Sequence, residues 1–183
     1  MKINLPVTQT EKPFTRGTIV TKTDLKGVIT YANDAFVELS GFDREELLGS
    51  SQNIVRHPDM PPAAFADMWR TLKNGHTWKG IVKNRCKNGD HYWVSAFIVP
   101  VKQDGVTTGY MSVRTPAARQ DISQLRFVTA VIANLKAHQT GADQNFAFHR
   151  RSIMISLRYT IAPARGNYPR VKQAESAKGS VSR

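Results

Sequence analysis

Cysteine is almost absent from this chain: Cys86 is the only one in 183 residues. A single cysteine excludes an intrachain disulfide and any multi-cysteine zinc site, and no metal centre is expected. It is compatible with a reducing compartment, so a cytoplasmic location is expected. Long apolar runs are missing too. The strongest stretch, Phe127 to Leu135, is interrupted by Thr129 and Asn134 and is too short to cross a membrane. The opening Met1-Lys2-Ile3-Asn4-Leu5-Pro6 lacks the apolar core of a signal peptide. No glycine-rich dinucleotide fingerprint follows a strand-like segment, and no nucleophile–base set stands out. An enzyme is therefore not expected.

Acidic residues are in short supply, 14 against 26 Lys and Arg, for a net charge of +12. The shortage is local. Residues 18–114 hold 12 basic and 10 acidic side chains, whereas residues 115–183 hold 11 and 3. A basic C-terminal part suits an anionic partner or a solvated extension. It has no repeated Arg/Lys blocks and no interleaved aromatics, so specific nucleic-acid binding is not expected.

The pattern along the chain divides it into an N-terminal arm (1–17), a compact domain (18–115), an amphipathic helical linker (116–137) and a basic, largely disordered tail (138–183). Thr18 to Thr23 and Val28 to Tyr31 are strand-like around the turn Asp24-Leu25-Lys26-Gly27, which predicts a hairpin. Asn33 or Asp34 can cap a short helix carrying Phe36, Val37 and Leu39 up to Gly41. Asp43 and Glu46 have capping-box spacing for another. Pro61-Pro62 opens the best helix, with Phe65, Met68, Trp69 and Leu72 on one stripe and Asn74-Gly75 at its end. Three strands follow: Thr77 to Lys83, His91 to Val101 and Thr107 to Arg114, with Asn88-Gly89 and Asp104-Gly105 between them. Asp121 to Lys136 has helical spacing of Ile122, Leu125, Val128, Ile132 and Leu135. The expected class is α+β, a five-stranded antiparallel sheet with short helices on one face and a ligand cavity between them.

One run has unusual chemistry. Arg56-His57-Pro58-Asp59 places a cation, an imidazole, a proline and a carboxylate side by side between apolar segments. Arg and Asp are seldom buried unless paired, so the run reads either as a solvated loop or as the polar wall of a pocket.

These stretches, in this order, resemble the PAS sensor fold. Ile29 to Phe36 and Trp78 to Gly89 carry the general likeness. Asn53 to Pro61, Ala63 to Trp69 and Lys83 to Val94 are similar to the N-terminal PAS domain of the bacterial aerotaxis receptor family, which binds FAD and senses redox state. The resemblance spans about Val7 to Arg114. It implies that Arg56, His57 and Asp59 lie in the segment tied to FAD binding. It matches Trp78 and Asn84 to the tryptophan and asparagine of flavin-binding PAS domains, and it turns Trp69 and Asn33 toward the same cleft. Asn84 can donate and accept at a flavin's polar edge, an indole can stack on the ring, and Arg56 can pair with a phosphate or with Asp59. Each has a plainer alternative: Asn33 as helix cap, Trp69 as core, Asn84 as a tie between strands. His57 beside Pro58 in a charged run is a poor haem ligand, and Cys86 is misplaced for a photochemical thiol adduct.

The resemblance further implies a chemotaxis-type signalling or receptor partner, with a homodimer through the PAS domain as an option. Aerotaxis receptors continue into a membrane anchor and a helical signalling domain, and this sequence has neither, so it is expected to be a stand-alone sensor, a fragment or a disrupted receptor. The competing functions are a flavin-dependent redox enzyme and an anion-binding protein acting through the basic tail.

Overall fold

The computed structural model describes residues 6–127. The expected hairpin is present as β1 (Ile19–Thr23) and β2 (Ile29–Ala32). Its turn is held by the Asp24 carboxylate, which accepts from the backbone N–H groups of Lys26 and Val28 at 2.8 and 2.9 Å. Helix α1 (Asp34–Ser40) starts at Asn33 and stops at Gly41, whose φ of 73° is the left-handed cap conformation that glycine adopts without a Cβ clash. Helix α2 (Arg44–Leu47) carries the capping box: the Glu46 carboxylate accepts from the Asp43 N–H at 2.8 Å. A 3-10 turn spans Gln52–Val55. Helix α3 (Pro62–Lys73) begins after Pro61 and ends at Asn74.

The meander consists of β3 (Trp78–Arg85), β4 (His91–Gln103) and β5 (Val106–Pro116). All pairings are antiparallel, and the spatial order is β2-β1-β5-β4-β3. The first and last strands of the chain order therefore meet at the sheet centre, where Ile19 pairs with Arg114 and Thr21 with Ser112. This pairing brings side chains nearly 100 positions apart in sequence onto one inner face.

Strand alternation sorts the sheet residues between two faces. Tyr92, Val94, Ala96 and Ile98 of β4 point inward and join Phe36, Leu47, Val55 and Leu72 in the main core. Ile81 and Trp93 point the other way, where Ile122 covers them and Ala117 and Leu125 pack alongside. These last three belong to the chain after β5; residues 119–127 form a further helix, α4, as far as the chain is described. The expected linker helix thus rests against the outer sheet face over its first part. Residues 128–136 of that expected helix, and the tail, lie outside the described residues. The arm is tied down as well. Lys12 donates its N–H to the His91 carbonyl, the His91 N–H donates to the Thr10 carbonyl, and the Lys12 ammonium caps α1 through the Glu38 and Leu39 carbonyls.

Cys86 sits one residue past β3, buried, with its thiol 3.3 Å from the Leu39 carbonyl oxygen. Burial pushes its pKa up to about 11, so it stays a protonated, unreactive thiol near neutral pH.

Candidate functional site

Between the inner sheet face and α3 lies a cavity of about 410 Å³, in the range of small-molecule sites. Its floor is built from the strands: Thr21 on β1, Val82 and Asn84 on β3, Ala96 and Ile98 on β4, and Tyr110, Ser112 and Arg114 on β5. Phe65, Met68 and Trp69 of α3 form one wall, and Gln52, Asn53, Val55 and Arg56 form another. Trp69 stands edge-on to Tyr110, with ring centroids 5.5 Å apart at 75°. Its indole also closes on the hairpin turn. A Cβ at Gly27 would lie 3.1 Å from the ring, at a φ of +82°, so both the space and the backbone there call for glycine.

The polar chemistry of this cavity is incomplete in itself. Buried side-chain atoms of Thr21 (Oγ1), Gln52 (Nε2 and Oε1), Asn84 (Nδ2), Ser112 (Oγ) and Arg114 (Nη1) have no hydrogen-bond partner. All five residues line the cavity. Native interiors rarely leave such groups unpaired, because each costs about 1–3 kcal/mol. Charge is one-sided too: the lining includes Lys26, Arg56 and Arg114 and no carboxylate. Arg114 is only 6% exposed, and its guanidinium lies 5.6 Å from the Phe36 ring centroid. Burial lowers its pKa, while the nearby Tyr92 phenol works in the opposite direction. The Tyr92 hydroxyl is itself pushed up by burial. The arrangement suits a ligand with several acceptors, some donors and negative charge.

Three of the seven residues singled out in sequence line this cavity. Asn84 points its amide in from β3. Trp69 gives it the indole. Arg56 forms part of the rim, with its guanidinium 4.4 Å from the Phe65 ring centroid and Nη2 3.5 Å from the Met60 carbonyl oxygen. The other four are outside the lining. Asn33 is the α1 cap: its side chain accepts from the N–H groups of Phe36 and Val20 and donates to the Thr18 carbonyl. Trp78 lies across Gly80, where a Cβ would come within 2.4 Å of its ring, and donates Nε1–H to the Asp67 carboxylate at 3.2 Å.

His57 is fully buried, and Asp59 forms an ion pair with Lys83 at 2.7 Å. Both belong to a cluster on the far side of the β3 edge. Burial, reinforced by the Lys83 ammonium, lowers the His57 pKa to about 4, so the imidazole is neutral near pH 7. The hydrogen bond from Lys83 holds the Asp59 carboxyl below its usual range.

Comparison with known proteins fits this geometry. Residues 29–114 match the PAS fold family. They have the PAS fold. Over 118 residues, 64% of its length, the chain is 56% identical to the Aerotaxis receptor of Escherichia coli (strain K12), covering 23% of that protein. It is 32% identical over 82 residues to the Nitrogen fixation regulatory protein of Klebsiella pneumoniae, covering 45% of this chain and 17% of that one. The chain therefore spans less than a quarter of the length of these curated relatives. Among solved structures, a Light-Oxygen-Voltage domain studied with a flavin analogue superimposes with a TM-score of 0.51 at 20% identity, over 67% of this chain and 87% of that one. At that identity the likeness shows the PAS architecture alone.

Sequence reasoning missed Thr21, Gln52, Ser112 and Arg114. Each lies in an ordinary strand or turn pattern, and only the β1–β5 pairing and the 3-10 turn turn them toward one space. No helix of the described residues is long and apolar enough to cross a membrane.

Proposed function

We propose that this PAS domain binds FAD noncovalently and passes the redox state of the cofactor to a chemotaxis-type signalling partner. The observation that carries the reading is the cavity with five unsatisfied polar residues, three cations and no carboxylate. A flavin presents a polar pyrimidine edge, and FAD adds a diphosphate, so the donors and the positive charge have matching partners. Asn84 and Ser112 would serve the ring edge, Trp69 and Phe65 its aromatic surface, and Arg56 or Lys26 at the rim the phosphates. A bound flavin supplies reversible electron and proton uptake on its ring. The protein's part is to exclude water and to present hydrogen-bonding groups whose pairing changes with ligand charge. Likeness to an Aerotaxis receptor supports the signalling role.

The test is an absorption spectrum of the purified full chain, followed by reconstitution with FAD and with FMN. A resolved flavin spectrum, or saturable uptake of FAD in preference to FMN, is the expected result. A chain that carries no flavin and takes up neither defeats the proposal.

A further inference from the structure

His57 and Asp59 sit in the segment that the family resemblance implies serves the ligand, yet neither lines the cavity. The reason is local geometry. Arg56 forms a single antiparallel bridge with Asn84 at the edge of β3, and residues 57–60 then turn, the Met60 N–H donating to the His57 carbonyl at 3.1 Å. Neighbouring residues on an extended strand face opposite ways. Arg56 therefore shares the cavity side with Asn84, and His57 falls on the outer side with Lys83 and His91. There the His57 ring meets His91 edge-on, with centroids 5.7 Å apart, and its Nδ1 accepts from the Asp59 N–H at 3.2 Å. That hydrogen bond leaves the proton of the neutral imidazole on Nε2, which is buried and has no partner.

The contacts continue outward without a gap. Asp59 holds Lys83, whose ammonium lies 5.9 Å from the Trp93 ring centroid. Trp93 packs on Ile122 of α4 and carries the Arg126 guanidinium 5.5 Å from its ring centroid. His91 exchanges backbone hydrogen bonds with the arm at Thr10 and Lys12. Between them, Glu11 of the arm forms ion pairs with Arg119 and Arg126 of α4. One short strap thus has its first residue in the cavity wall and its next residues in the junction where arm and terminal helix meet the sheet.

We propose that residues 56–60 couple the cavity to this junction, and that His57 and Asp59 are positioning residues that never touch the ligand. A ligand that fixes Arg56 fixes the strap, and the strap steadies Lys83, His91 and Trp93 beneath the arm and α4. The route runs around the β3 edge rather than through the sheet. By linkage, a change at the junction alters ligand affinity by the same factor as the ligand alters the junction. The part of the inference that concerns a bound ligand rests on the FAD reading above; the strap itself is testable without it.

Amide hydrogen exchange on the full chain measures the coupling. Lys12 and Ile122 report the arm and α4, since their N–H groups donate to the His91 and Ala118 carbonyls, and Val94 and Ile98 of β4 report global opening. Without FAD, Arg56→Ala should speed exchange at Lys12 and Ile122 about tenfold relative to β4, in the usual range of coupling between sites. Adding Asp59→Asn to it should speed exchange no further, because both act through one strap. With FAD, the wild-type chain should slow exchange at both reporters. Asp59→Asn should lose that ligand-dependent difference and Asp59→Glu should keep it, a distinction that a purely structural role would not produce. Should Arg56→Ala fail to fold, Arg56→Gln replaces it. Reporter exchange unchanged by the Arg56 variant overturns the coupling, as does an undiminished FAD response in Asp59→Asn. Absence of FAD binding overturns only the cofactor reading and leaves the ligand-free comparison to decide this one.

Discussion

Replacing Arg114 by Met separates a ligand-serving cation from a structural one. Arg114 is 6% exposed, has an unpartnered Nη1 and lines a cavity with no carboxylate. In the ligand-free domain, an unsatisfied buried donor costs about 1–3 kcal/mol. Met removes that cost and keeps most of the packing. It gives up the contact with Phe36, about 0.5–2 kcal/mol for a cation over a ring. The net expectation is a gain of about 1 kcal/mol, which raises Tm by about 4–8 °C for a domain of roughly 100 residues. With ligand present the sign reverses. A hydrogen bond to a charged group contributes about 1.5–3 kcal/mol, so FAD affinity should fall about 10- to 150-fold. Thermal unfolding of the apo-protein and a flavin-fluorescence titration measure the two effects. Arg114→Lys keeps the charge but not the planar fork, and should fall between Met and wild type in affinity. A Met variant that melts below wild type and binds FAD unchanged would refute the assignment and make Arg114 part of the fold.

Asn84→Ala should weaken FAD binding by about 1–3 kcal/mol, roughly ten- to hundredfold, because it strips a partner from the polar edge of the ligand; equal titration curves for variant and wild type would count against this. Asn33→Ala should do the reverse, destabilising the apo-domain by about 0.5–2 kcal/mol in a urea melt through loss of the α1 cap while leaving FAD affinity as it was. Stability should fall with acid because of His57. Its folded pKa of about 4 lies below the ordinary 6.5, so the unfolded chain binds the extra proton. The stabilisation is full above pH 6.5 and is lost as pH falls toward 4. Asp59 and His91 are also lowered and act in the same direction, while Lys83 and Arg85 are the cations that face the imidazole. Melting curves from pH 7.5 to 4 should show a proton uptake that His57→Gln reduces by about one.

The fold was legible where its determinants are local. The turn at Asp24 to Gly27, the cap at Asn33, the capping box at Asp43 and Glu46 and the helix start at Pro61-Pro62 all depend on residues within four positions of one another, and all are found as expected. The cavity was legible only in part. Trp69 sits on a helical stripe and Asn84 in a stretch of marked likeness to flavin-binding domains, so each had a signal of its own. Arg114 had none. It closes β5, its inward orientation depends on register with Ile19, and a basic residue at the edge of a domain reads as solvated until that register is known. Thr21 and Ser112 are hidden for the same reason, as small polar residues whose importance comes from the space that they share.

In sequence the Arg56-His57-Pro58-Asp59 run offers a choice between a solvated loop and one wall of a pocket. In the structure the run divides: Arg56 bridges to Asn84 at the cavity rim, and the chain then turns at residues 57–60. Arg56 serves the cavity, while His57 is buried among cations on the opposite side and Asp59, with a side chain 60% exposed, bridges to the buried Lys83. Pro58 matters for the difference. It fixes its own φ, biases His57 to extended backbone and opens the turn that closes with the Met60 N–H on the His57 carbonyl. Loss of cofactor after substitution of His57 or Asp59 would therefore not show contact with the ligand. The discriminating measurement is the rescue: Asp59→Glu, which retains a carboxylate for Lys83, should restore flavin content if the residue positions the strap. A carboxylate that touched the cofactor at a fixed distance would be displaced by the added methylene, and the same variant would then fail to restore it.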